Sequence, residues 1–66
     1  MNITVNGTPE RLVDGTTLAA LMSARALPAT GIAAAVNGDV VRAAIWAETV
    51  LTDQDAVEIV TAKQGG

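Results

Sequence analysis

Asn-Gly occurs twice in this chain, at Asn6-Gly7 and Asn37-Gly38, each time between two segments with strand character. A two-residue connection between antiparallel strands needs positive φ at both central positions, and Asn followed by Gly tolerates that best. Two hairpins are therefore expected. In the first, Met1, Ile3 and Val5 alternate with Asn2, Thr4 and Asn6, the period of a strand with one buried face. Its return strand runs from Thr8 to about Val13. Pro9 has no N–H to donate, which puts this return strand at a sheet edge or makes it start irregularly. In the second, the apolar run Ile32 to Val36 predicts a strand buried on both faces, and Val40-Val41 begins the return.

The segment between the hairpins reads as a helix. Thr16 or Thr17 can cap it by accepting an N–H of the first turn. Leu18, Leu21 and Met22 share one face, and the alanines at 19, 20, 24 and 26 favour the helical state. Arg25 is placed in the last turn, where the helix dipole favours a cation, and Pro28 stops the helix. After the second hairpin, Ala43 to Glu48 lacks a period of two and reads as a short helical turn that tucks Trp46 against the core. Thr52 to Asp55 is a polar turn. Ala56 to Thr61 alternates again, Val57 and Ile59 facing one way, Glu58 and Val60 the other. This order predicts an α+β domain with one helix packed on one mixed sheet.

Composition narrows the chemistry. The chain has 66 residues, half of them apolar, with one aromatic side chain, Trp46. With no Cys and no His, it has neither a thiolate nor an imidazole for metal binding or general-base work. Four basic residues against seven acidic ones, net charge −3, argue against nucleic acid and favour a basic partner surface. No signal peptide and no run of about 18 apolar residues is apparent, so a cytoplasmic protein with no membrane contact is expected.

Few residues are candidates for function. Asp53 and Asp55 resemble a carboxylate pair, but no third ligand stands at a useful spacing, and they read as turn formers. Gly7, Gly15 and Gly38 fit no phosphate-loop pattern and read as turn glycines. Ser23 has no His or Lys at a useful spacing, so a catalytic serine is not expected and nothing supports an enzyme. Trp46 reads as partly buried core, while Ile45 and Val60 are possible partner-surface residues. The sequence closes on Gly65-Gly66. A frayed end or a cloning scar would also end in glycine. Two side-chain-free residues can equally thread a narrow channel, with an unhindered carboxyl carbon at the tip. Four extended residues, 63–66, would carry that carboxyl about 13 Å from the domain. The division expected is a folded unit over residues 1–62 and a flexible tail over 63–66.

The stretches VNGTPERLVDGTTLAALM, AAAVNGDVV, WAETVLTDQDAVEIVTA and the terminal QGG resemble the ThiS-type sulfur carriers of thiamine biosynthesis, over nearly the whole chain. Members of that family are ubiquitin-like β-grasp proteins, in which the first and last strands pair in parallel through the middle of the sheet. The resemblance implies about five strands with one main helix on one face, and no bound cofactor. It implies that a ubiquitin-activating-type adenylyltransferase uses ATP to adenylate the Gly66 carboxylate. Sulfur from a cysteine desulfurase then converts it to a thiocarboxylate, and thiazole synthase takes up the sulfur. Gly65, Gln64 and Lys63 would lie along the partner's channel. Three positions depart from the family pattern: Gln54, where Gly is usual, Arg42, where Pro is frequent, and Ile45, where a polar or charged residue is. A carrier for molybdopterin synthesis, a ubiquitin-like modifier and a plain binding module share parts of this pattern.

Overall fold

The structure, a computed structural model, describes residues 1–25, 27 and 31–61. Five strands and two helical segments follow one another: β1 (Asn2–Val5), β2 (Thr8–Arg11), α1 (Leu18–Ser23), β3 (Ile32–Val36), β4 (Asp39–Val41), a 3₁₀ helix (Ala43–Glu48) and β5 (Ala56–Thr61). The sheet order is β2-β1-β5-β3-β4. Both Asn-Gly pairs turn as expected, with φ of 51° and 82° at Asn6 and Gly7, and 52° and 87° at Asn37 and Gly38. The registers Val5↔Thr8 and Val36↔Asp39 close the two hairpins over two residues each.

β2 is an edge strand, as Pro9 requires, with Pro9 opposite Thr4. It ends at Arg11 rather than near Val13. Arg11 pairs with Asn2, the first residue of β1, and one more exchange follows, the Leu12 N–H donating to the Met1 carbonyl at 2.9 Å and the Met1 ammonium to the Leu12 carbonyl at 2.7 Å, before the pairing stops at Val13. The chain turns instead, with the Thr16 amide and hydroxyl both donating to the Val13 carbonyl, and Val13 stands 80% exposed.

Thr17 caps α1, its hydroxyl accepting from the Ala20 N–H at 3.1 Å. Leu18, Leu21 and Met22 are buried beneath it. The helix is shorter than expected. Arg25 donates its N–H to Met22, three residues back, so the final turn tightens and the helix is over before Pro28 could act. Arg25 therefore lies beyond the last turn, and its guanidinium pairs with Glu10 on β2. Pro28 and Ala26 fall outside the described residues.

β5 occupies the middle of the sheet, parallel to β1 through Thr4↔Ala56 and Val5↔Val57, and antiparallel to β3 from Val36↔Val57 to Ile32↔Thr61. The core lies between the sheet and α1: Ile3, Val5, Leu18, Leu21, Met22, Ala34, Leu51 and Val57. Trp46 packs against it half-buried and donates its indole N–H to the Val41 carbonyl at 2.7 Å. The segment after the 3₁₀ helix ties α1 down, with Leu18 N–H donating to Thr49 and Leu51 N–H to Thr16 at 2.8 and 2.9 Å. β3 is not buried on both faces. Ala34 points into the core, but Ala33 is exposed, because among the described elements only α1 and the 3₁₀ helix supply cover, and they lie together on one side.

The 52–55 turn is built by its carboxylates. Asp55 accepts from the Thr52 N–H (2.8 Å), the Thr52 hydroxyl (3.0 Å) and the Asn37 amide (2.9 Å). Asp53 accepts from the Asn2 N–H at 2.6 Å. Gln54, at φ 73°, takes the left-handed conformation that glycine adopts freely.

Candidate functional site

Lys63, Gln64, Gly65 and Gly66 lie outside the described residues. What the structure does place is their root, Thr61 at the end of β5, and the surroundings of that strand. β5 emerges between two neighbours, and both hairpin turns reach over to it. Asn6 accepts from the Ile59 N–H at 2.8 Å and donates to the Ile59 carbonyl at 3.2 Å. Asn37 accepts from the Ala56 N–H at 2.9 Å, while its own backbone N–H donates to the Ala56 carbonyl at 2.8 Å. One turn thus grips the start of the strand and the other a point near its end.

These two carboxamides were missed as strand contacts when only backbone φ was considered. Asp or Gly also suits such turns, so the choice of Asn at both was the available signal: it alone brings a donor and an acceptor together on a short side chain.

The face of the sheet away from α1 is open around β5. Val60, 62% exposed, and Val40, 76% exposed, flank a shallow depression with Ala33, Ala35 and Glu58. Val60 is thus a surface residue on an apolar patch with one carboxylate in it. Ile45, 41% exposed, belongs elsewhere. Its 3₁₀ helix packs against α1, on the covered side of the sheet, so Ile45 and Val60 do not form one surface.

The carboxylates of the 52–55 turn are structural. Hydrogen bonds from the Asn2 N–H and then the Gln54 amide hold Asp53 below the ordinary carboxylate range. Burial on its own would push Asp55 up, but the bonds from Thr52 and Asn37 outweigh it and hold Asp55 low as well. Both are anions at neutral pH, each engaged with its own turn. Among the described residues no group of three or more His, Cys, Asp or Glu is placed to hold a metal ion, and no helix is long and apolar enough to cross a membrane.

A helix lying across a five-stranded mixed sheet, with the first and last strands parallel at its centre, defines a ubiquitin-like β-grasp protein. Within that class, the family model described as the ThiS family matches residues 3–66, and the chain belongs to that family. No curated protein matches the sequence significantly. Among solved structures, the chain is similar to the crystal structure of the thiamine biosynthesis protein ThiS from Geobacter metallireducens, at 32% identity over the whole of both chains with a TM-score of 0.86. It is also similar to the solution structure of a thiamine biosynthesis protein from Geobacter metallireducens, at 30% identity over all of this chain and 88% of that one, with a TM-score of 0.79.

The departures from the family pattern leave this frame intact. Gln54 keeps the left-handed turn in spite of its side chain. Arg42, where Pro is frequent, has φ of −67°, the value proline itself imposes, so either residue starts the 3₁₀ helix.

Proposed function

We propose that this protein carries sulfur for thiazole-phosphate formation in thiamine biosynthesis, on the carboxyl of Gly66, and is acted on by enzymes rather than being one. The observation that carries this reading is the family match, which runs through the terminal glycines. The solved relatives named for thiamine biosynthesis support it.

A carboxylate resists substitution because oxide is a poor leaving group. A ubiquitin-activating-type adenylyltransferase first converts the Gly66 carboxylate to an acyl-adenylate, with ATP losing pyrophosphate. Sulfur drawn from cysteine by a desulfurase, held as a persulfide, displaces AMP to give an acyl disulfide. A second thiol cleaves the S–S bond, forming a disulfide and leaving the thiocarboxylate, which thiazole synthase consumes. Gly66 is the reacting residue. Gly65 keeps the tail slim, and Lys63 and Gln64 follow the partner's channel. The chain has no thiol of its own to compete for the sulfur. The open face around Val60 is the docking patch, and Glu58 with the net charge of −3 selects a basic partner surface. A cytoplasmic setting supplies the ATP and cysteine.

The test is intact-mass analysis of the protein produced together with its activating enzyme and desulfurase. A fraction with one oxygen replaced by sulfur at the C-terminus is expected, and it should vanish when Gly65 and Gly66 are deleted. Larger covalent adducts in place of that fraction would mark a protein modifier.

A further inference from the structure

β1 can pair with β5 only as far as Val5↔Val57, because the chain turns away at Asn6. The Asn6 side chain stays behind. Its carboxamide has the donor and acceptor of a peptide group, and it meets both backbone groups of Ile59, at 2.8 and 3.2 Å. A side chain thus supplies one further rung of the parallel ladder after the strand itself has left. β5 is held along both edges as far as Ile59. Beyond that residue, the pairing to β3 through Ile32↔Thr61 is the one described.

The location of this rung matters. It is one residue before Val60 on the open apolar face, and seven residues before Gly66. A strand gripped on both edges leaves the sheet in a fixed direction and register, while one gripped on a single edge can twist and peel. An activating enzyme has to hold the body by its surface and the tail in its channel at once. The affinity of such two-point binding depends on how well the two points are fixed relative to one another.

We propose that Asn6 is a positioning residue of the carrier: by clamping Ile59 it fixes the relation between the open face and the departing tail, and so presents Gly66 productively to the activating enzyme. This rests on the sulfur-carrier reading above. Asn6 acts through Ile59 and touches no reacting atom. The positive φ at residue 6 does not by itself call for Asn, since Gly adopts it without cost. Asn37 provides an internal control at the start of the strand, ten residues before Gly66: its side chain accepts from the Ala56 N–H while its amide donates to Asp55, so its removal weakens the fold without touching Ile59.

The experiment compares wild type, Asn6→Gly and Asn37→Gly as substrates of the cognate adenylating enzyme, followed by ATP–pyrophosphate exchange at varied carrier concentration. Both substitutions preserve the turn and remove a side-chain grip on β5, and amide hydrogen exchange reports whether each variant is folded. Asn6→Gly should raise the KM for carrier about fivefold, the factor equivalent to the roughly 1 kcal/mol of a net hydrogen bond, with kcat unchanged. It should also speed amide exchange at Ile59. Asn37→Gly should leave KM at the wild-type value even though it lowers stability. An unchanged KM in Asn6→Gly, or an equal rise in both variants, overturns the assignment. Absence of exchange with wild type would instead defeat the carrier reading itself.

Discussion

Asp55 is expected to be worth more to this fold than any other charged residue described, and replacing it tests how the 52–55 turn is built. The residue is 8% exposed, and its carboxylate accepts three hydrogen bonds. Asp55→Ala strands the Thr52 N–H and the Asn37 amide, two donors that the carboxylate now occupies, while the Thr52 hydroxyl can rotate to water. Hydrogen bonds to a charged group are worth about 1.5–3 kcal/mol each, but Asp55 lies near the surface, so water takes back part of the loss and about 2–4 kcal/mol in total is expected. A 66-residue domain has roughly 3–10 kcal/mol of stability in all. At about 4–8 °C per kcal/mol, the Tm should fall by roughly 10–30 °C.

Urea unfolding followed by the fluorescence of Trp46, the one aromatic residue, measures this directly. Asp53→Ala is the reference, since Asp53 is exposed and water can replace it, and its effect should be clearly smaller. The pH dependence supplies a second arm. Hydrogen bonding holds the folded-state pKa of Asp55 below the unfolded value, so its contribution is complete above about pH 4 and is lost as pH falls through the folded pKa. The stability gap between wild type and Asp55→Asn, which does not titrate, should therefore narrow below about pH 4. If Asp55→Ala costs no more than Asp53→Ala, or the gap stays flat into acid, the turn is not held by this carboxylate.

Leu18 is fully buried, and Leu18→Ala should cost about 2–5 kcal/mol, read as a large fall in the urea midpoint; a midpoint close to wild type would contradict its burial. Gln54→Gly should raise the Tm slightly and Gln54→Val should lower stability by about 1 kcal/mol or more, because the position is left-handed; unfolding curves in which the two variants match would contradict that geometry. Val60→Lys should leave stability within about 0.5 kcal/mol but weaken association with the activating enzyme, read by titration calorimetry. Unchanged affinity would remove the open face as the docking surface.

Much of this architecture is legible in short windows of sequence. The Asn-Gly turns, the edge position forced by Pro9, the Thr17 cap and the shared face of Leu18, Leu21 and Met22 each follow from a few adjacent residues. The misreadings have another origin. Ile32 to Val36 is apolar throughout, yet whether Ala33 is covered depends on elements distant in the chain. The early end of β2 depends on how long β1 is. The choice of Asn at position 6 signals a side-chain grip, but its partner lies 53 positions away, so no local pattern names it. At the candidate site, Val60 stands exposed as alternation implied, while Gly65 and Gly66 lie outside the described residues. That Ile45 lies apart from Val60 required the packing of the 3₁₀ helix against α1.

The placement of the tail's root follows a physical constraint on any carrier of this kind. A terminal glycine carboxyl looks the same on every protein that has one, so discrimination has to come from the body, read together with the tail. That demands a surface left free for a partner and a fixed path from it to the terminus. One helix on one side of the sheet meets the first demand, since the other side stays open. Carrying the tail on β5 meets the second, because β1 and then the Asn6 side chain hold one edge as far as Ile59 and β3 holds the other as far as Thr61, and a slipped register would move every side chain to the wrong face. On β2, with Pro9 unable to donate and a single partner strand, the same tail would leave from the part of the sheet most easily peeled.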